Sequence, residues 1–141
     1  MLDSYFTNCL YFTANRFSRI MNKMAEEAFA PIGLSPTYAF LIMAVIDQPG
    51  MTQKQLSEKL HIAPSTCTRF VDKLIVKQLV DRRQEGKLVY ISPTEKGEQL
   101  LPDIKKCWKV LYIRYSDILG KEVGDQLSID LHQLSNQLES K

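Results

Sequence analysis

Apolar residues recur at Phe6, Cys9, Leu10, Phe17, Ile20, Met21, Met24 and Ala28. Steps of three and four predict an amphipathic helix over about 6–28. Pro31 and Gly33 end it, and Ser35 followed by Pro36 supplies an N-cap and a first helical position for the next. That helix, about 36–47, is apolar on most sides through Tyr38, Phe40, Leu41, Ile42, Val45 and Ile46, which places it at the centre of the core. Pro49 and Gly50 stop it. Thr52 and Gln55 form a capping box for a short helix ending near Leu60. Only His61, Ile62 and Ala63 separate it from Pro64, which starts another helix running to about Gln78.

LVDRRQEGKLVYI then reads as a β-hairpin turning at Glu85-Gly86. Pro93-Thr94 opens a long helix with an apolar seam at Ile104, Cys107, Trp108, Leu111, Tyr112, Tyr115, Ile118 and Leu119. A second seam follows Gly120 at Leu127, Leu131, Leu134 and Leu138. The fold class is mainly α with a small β-hairpin wing. A helix–turn–helix–wing unit over about 34–93 is flanked by amphipathic helices at about 1–30 and 94–141. Those flanking stripes exceed what one small core needs, so they are expected to pack on one another and on a second copy.

A chain of 141 residues suffices for one domain with a real core, and 45% hydrophobic with 24% charged residues is an ordinary globular composition. No apolar run approaches the ~20 residues of a membrane span. No basic stretch followed by an apolar one marks a signal peptide near Met1. The three cysteines are widely spaced and odd in number, which fits a reducing, cytoplasmic compartment. His61 and His132 have no partners at metal-ligand spacing, so neither a metal nor another cofactor is expected.

The net charge of +2 says little, but residues 51–100 hold 9 basic and 6 acidic residues, an excess of +3 in the segment of the two short helices and the hairpin. Their positions matter more. Cys67, Phe70, Val71, Leu74 and Ile75 share one face of the helix begun by Pro64. The other face carries Ser65, Thr66, Thr68, Arg69, Asp72 and Lys73. A merely solvated face prefers Glu, Lys and Gln, the better helix formers. Short hydroxyls let a backbone approach an acceptor-rich surface, and arginine bonds guanine O6 and N7, or a phosphate, in bidentate fashion.

Ala63 is a poor cap, which leaves amides at the helix start for a phosphate. Gln53, Pro64, Ser65, Thr66, Thr68, Arg69 and Lys73 are therefore the candidate DNA contacts, with Lys77 further along and Arg82, Arg83 and Lys87 extending the strip onto the hairpin. The expected partner is double-stranded DNA. A winged-helix module that only docks proteins shares the same pattern; it would bind DNA weakly and without sequence preference. An enzyme is not expected, because no nucleophile–base pair, Gly-rich phosphate loop or paired carboxylates occur.

GLSPTYAFLI (33–42), MTQKQLSEKL (51–60), APSTCTRFVDKL (63–74) and PTEKGEQL (93–100) together resemble the MarR family of winged helix–turn–helix regulators, over essentially the whole chain. The resemblance implies a homodimer joined by the terminal helices and a recognition helix in the major groove of each half of a palindromic site. It also implies transcriptional repression or activation, often relieved by a small molecule or an oxidant. The hairpin RRQEGKLVYI reads as shorter than the family's wing and without the Asp-x-Arg element near its tip, leaving Lys87 or Arg83 for the minor groove.

The family's effector pocket lies between dimer body and winged unit, and Tyr11, Arg16, Tyr38 and Phe40 come from the segments that would border it. An anionic aromatic ligand would use Arg16. NCLYFTANRF resembles the first helix of peroxide-sensing members, so Cys9 is the candidate redox sensor. Cys67 and Cys107 read as packing residues, the latter in the dimer seam. A buried small apolar role is the commoner fate of any free cysteine.

Overall fold

The computed structural model describes residues 1–140. The chain begins with α1 (Asp3–Asn8) and α2 (Leu10–Phe29), one helix in the periodicity but two in space. Cys9 between them is extended, with φ −90° and ψ 119°. Thr13 fixes the new start, since both its amide and its hydroxyl donate to the Cys9 carbonyl. A short 3-10 turn, Ala30–Ile32, ends at Gly33 in the left-handed conformation, φ +63°, which suits glycine. Then come α3 (Pro36–Asp47), β1 (Met51–Thr52), α4 (Gln53–Leu60), α5 (Pro64–Val76), β2 (Val80–Glu85) and β3 (Leu88–Pro93). The C-terminal part is α6 (Glu95–Gln99), α7 (Leu101–Leu119) and α8 (Lys121–Glu139).

The expected long helix after Thr94 is thus divided near Leu100. Pro102 is the reason: it has no amide to offer the carbonyl four residues back. The wing turns at Gly86-Lys87, one residue later than expected, with Glu85 opposite Leu88. A third strand is also present. Met51 pairs with Ile91 and Thr52 with Tyr90, giving an antiparallel sheet in the order β1-β3-β2. Two residues are too few for a strand signal in the sequence.

α3 is central, as its composition requires: Ala39, Leu41, Ile42 and Val45 are fully buried. Around it the core gathers Phe29, Leu56, Cys67, Val71, Leu74, Ile91 and Ile104. Cys107 belongs to this core rather than to an exposed seam, because its turn of α7 packs inward with Ile104. No single helix among the described residues is long and apolar enough to cross a membrane.

The join between sheet and α6 is tightly built. The Thr94 hydroxyl accepts from the Gly97 amide at 3.0 Å and donates to the Gln78 carbonyl at 2.7 Å. A Cβ on Gly97 would drive into the Leu79 carbonyl, so the fourth residue of Thr-x-x-Gly has no room for a side chain.

Candidate nucleic-acid interface

Thr52 and Gln55 cap α4 reciprocally, at 3.1 Å from the Gln55 amide to the Thr52 hydroxyl and 3.0 Å from the Thr52 amide to the Gln55 carbonyl oxygen. His61 closes α4 in the left-handed conformation at φ 55°, and its amide and that of Ile62 return to the last turn. α5 follows at once. Ala63 gives it no side-chain cap, so the first amides of α5 face outward without a partner from the chain's own side chains.

Cys67, Val71 and Leu74 bury one face of α5. Burial pushes the Cys67 thiol up, and the nearby Arg82 guanidinium opposes this more weakly. Pro64, Ser65, Arg69, Asp72 and Lys73 are exposed, and Thr66 is half-buried. Arg69, Lys73 and Lys77 have no ion-pair partner among the described residues.

Gln53 and Thr68 are bonded to each other. Gln53 Nε2 donates to Thr68 Oγ1 at 2.8 Å, and Thr68 Oγ1 donates to the Pro64 carbonyl at 3.0 Å. The Gln53 side-chain oxygen Oε1 is buried with no partner among the described residues. Both side chains thus meet in the angle between α4 and α5. Their hydrogen-bonding capacity joins the two helices.

The wing departs from expectation. Arg82 Nη2 lies 2.5 Å from Asp72 Oδ1, so its charge is held by α5. Arg83 pairs with Glu85 and stands over the Tyr90 ring, 4.9 Å from its centroid. Lys87, at the turn, is exposed and has no ion-pair partner among the described residues. The positive strip expected from Arg82, Arg83 and Lys87 is therefore two braced guanidinium groups and one ammonium at the tip.

Tyr11, Arg16, Tyr38 and Phe40 do not converge. Tyr11 is 78% exposed and Arg16 is exposed on α2, while Tyr38 packs edge-on against Phe70 at 4.9 Å. Phe40 alone reaches a cavity of about 270 Å³ between α2, α3, α7 and α8, where it meets Phe17, Met21, Trp108, Leu111, Tyr115 and Leu127. This cavity is lined almost wholly by apolar side chains, and Tyr11, Arg16 and Tyr38 are not among them. Beside it Trp108 stacks on Tyr112, ring centroids 5.3 Å apart and planes 7° apart. The Tyr112 hydroxyl donates to Asp125 at 2.8 Å; this bond, ahead of burial, pushes the phenol's pKa up. Cys9 is half-buried at the break before α2, and only its carbonyl is hydrogen-bonded among the described residues.

The model of the MarR family matches residues 34–86, the segment from the start of α3 to the wing turn. Over that segment the chain is similar to the MarR family. Its fold agrees over nearly the whole length. A solved structure of the transcriptional repressor CouR bound to a 23-mer DNA duplex superposes with a TM-score of 0.85 at 20% identity, covering 93% of this chain and 95% of that one. CouR from Rhodococcus jostii RHA1 bound to p-coumaroyl-CoA gives 0.79 at 22% identity, covering 92% and 93%.

Among curated relatives, the HTH-type transcriptional regulator YybA of Bacillus subtilis is 22% identical over 92 residues. That stretch is 63% of this chain and 61% of YybA, so the match spans about three fifths of the relative. These relatives and structural neighbours are themselves named as transcriptional regulators.

β2 opens Val80-Asp81-Arg82-Arg83, which places an Asp-x-Arg triplet at the root of the hairpin and not near its tip. The contacts of Arg82 and Gln53 were not legible, since neither pair falls on a helical or strand repeat.

Proposed function

We propose that this protein is a MarR-type regulator, a homodimeric repressor that reads a palindromic promoter site and is released by a small apolar effector. The observation that carries the DNA reading is the outer face of α5. There Arg69 and the short Ser65 stand beside an uncapped helix start that neighbouring structure leaves open. An α-helix so presented fits a major groove, with Arg69 on a guanine edge and the first amides on phosphate. Ser65, Thr66, Lys73 and Lys77 lie along the same approach, and Arg83 and Lys87 are the wing's candidates for the minor groove. Residues of about 34–93 form the reading unit in this proposal, and about 1–30 and 94–141 form the dimer body. The protein works in the cytoplasm, where its DNA is.

Exposed apolar surface supports the second copy. Leu2, Tyr5, Phe6, Leu10 and Tyr11 at one end of the chain, and Ile118, Val123, Ile129, Leu134 and Leu138 at the other, are all exposed. α1 buries no residue at all. A face of this kind on a soluble regulator calls for a partner surface, and two-fold pairing would present two copies of α5 about one helical turn apart.

The effector reading rests on the cavity beside Trp108, whose lining is almost wholly apolar. A ligand wedged between α3 and α7 would shift the reading unit against the dimer body and spoil the spacing of the two helices. CouR, which shares the fold, has been captured with DNA and with p-coumaroyl-CoA. The cavity favours a ligand over an oxidant at Cys9.

Sedimentation of the protein with and without a bound duplex tests this function. The expected results are a dimer at micromolar concentration and two protomers per duplex. A monomer on DNA, or a dimer with equal affinity for every sequence, would favour the protein-docking module instead.

A further inference from the structure

Asp72 is out of place on a surface built to meet phosphates. It is exposed on the same outer face of α5 as Arg69 and Lys73, where its charge repels DNA at every sequence. What it holds gives the reason. Arg82 reaches across from β2 to Asp72 at 2.5 Å, and its side chain is 32% exposed against 64% for Arg83 next to it. Arg82 sits at the root of the wing, opposite the fully buried Ile91, far from the turn at Gly86-Lys87. Its guanidinium lies close enough to α5 to act on the Cys67 thiol on the helix's buried side. The pair therefore ties the root of the wing to α5.

A hairpin fixed at its root carries its tip as a rigid lever. With the root loose, Lys87 and Arg83 would sample positions relative to Arg69, and ordering them on binding would cost entropy. We propose that Asp72 is a positioning residue for DNA reading: paired with Arg82, it braces the wing against the recognition helix and keeps that guanidinium off the phosphates. This rests on the DNA-reading function proposed above.

The test compares wild type, Asp72→Asn and the double variant Asp72→Asn/Arg82→Gln. Each is titrated onto an operator duplex selected by the wild-type protein and onto a scrambled duplex of the same composition, across a salt series. Asp72→Asn releases Arg82 to any phosphate. Binding to the scrambled duplex should tighten about 2–5-fold, the range expected for one exposed charge pair. The salt dependence should steepen by about 1 for each protomer. Operator preference should fall, because placement of the wing matters only there. The double variant has no released arginine. It should bind the scrambled duplex as wild type does, with an unchanged salt slope, yet keep the reduced operator preference.

Asp72→Asn weakening both duplexes alike at an unchanged slope would mark an ordinary loss of stability and overturn the proposal. A double variant that binds both duplexes more weakly with a flatter slope would show that Arg82 itself contacts phosphate, and would overturn it too. Wild-type protein without preference between the duplexes would overturn the DNA-reading function, and this proposal with it.

Discussion

Gln53 and Thr68 lock the two helices of the reading unit together: the amide nitrogen of one lies 2.8 Å from the hydroxyl of the other, across the turn between α4 and α5. The hydroxyl in turn donates a hydrogen bond to the Pro64 carbonyl, so a three-membered chain of polar groups holds the angle at which α5 is presented. Thr68→Val keeps the volume and strands the Gln53 amide in a half-buried site. It is expected to cost about 1–3 kcal/mol of folding stability, read by urea denaturation. Thr68 acting instead as a base contact would show as altered site preference at full stability.

Arg69 stands on the exposed side of the same helix without an ion-pair partner among the described residues. Arg69→Ala should cost about 1–3 kcal/mol at the best site and relax preference at one base position in each half. Quantitative binding to a set of single-base operator variants checks this. Equal losses on every variant would reassign Arg69 to a phosphate.

Gly97 is required by space. A methyl group there meets the Leu79 backbone carbonyl, which is anchored by its hydrogen bond from the Thr94 amide. Gly97→Ala should destabilise the protein by roughly 1–3 kcal/mol through forced displacement of backbone, visible as a lower midpoint of thermal unfolding. An unchanged midpoint would mean that the join between wing and α6 yields easily.

Tyr112 gives a pH signature. Its phenol is raised from the usual 10.0, first by its hydrogen bond to Asp125. A folded-state pKa raised above the unfolded value contributes stability that is fully present below the unfolded value and lost as pH rises through the folded one. Wild-type stability should therefore fall more steeply above pH ~10 than that of Tyr112→Phe, which lacks the titrating group. Parallel curves for the two proteins would remove Tyr112 as the source.

Much of this architecture is legible in the residues. The α4 capping box, the three-residue turn, the start of α5 at Pro64 and the all-round apolar character of α3 all follow from local rules. What escaped depends on contacts between distant segments. β1 is two residues long and exists only because β3 lies beside it. Asp72 and Arg82 are ten positions apart, Gln53 and Thr68 fifteen, and no periodicity joins them. The apolar cavity beside Trp108 was not legible either, because its lining comes from four helices far apart in sequence, and Tyr38 turns out to pack against Phe70. Composition told which residues were basic, but only the fold shows that the two wing arginines are held by carboxylates.

The measurement that tests the central claim most directly is selection of bound duplexes from a random pool by the full-length protein at ~150 mM salt, where unspecific phosphate binding is already weakened. A two-fold symmetric motif, with half-sites about one helical turn apart, is the predicted result. Failure to enrich any sequence, by a protein that sediments as a dimer, would contradict base reading by α5.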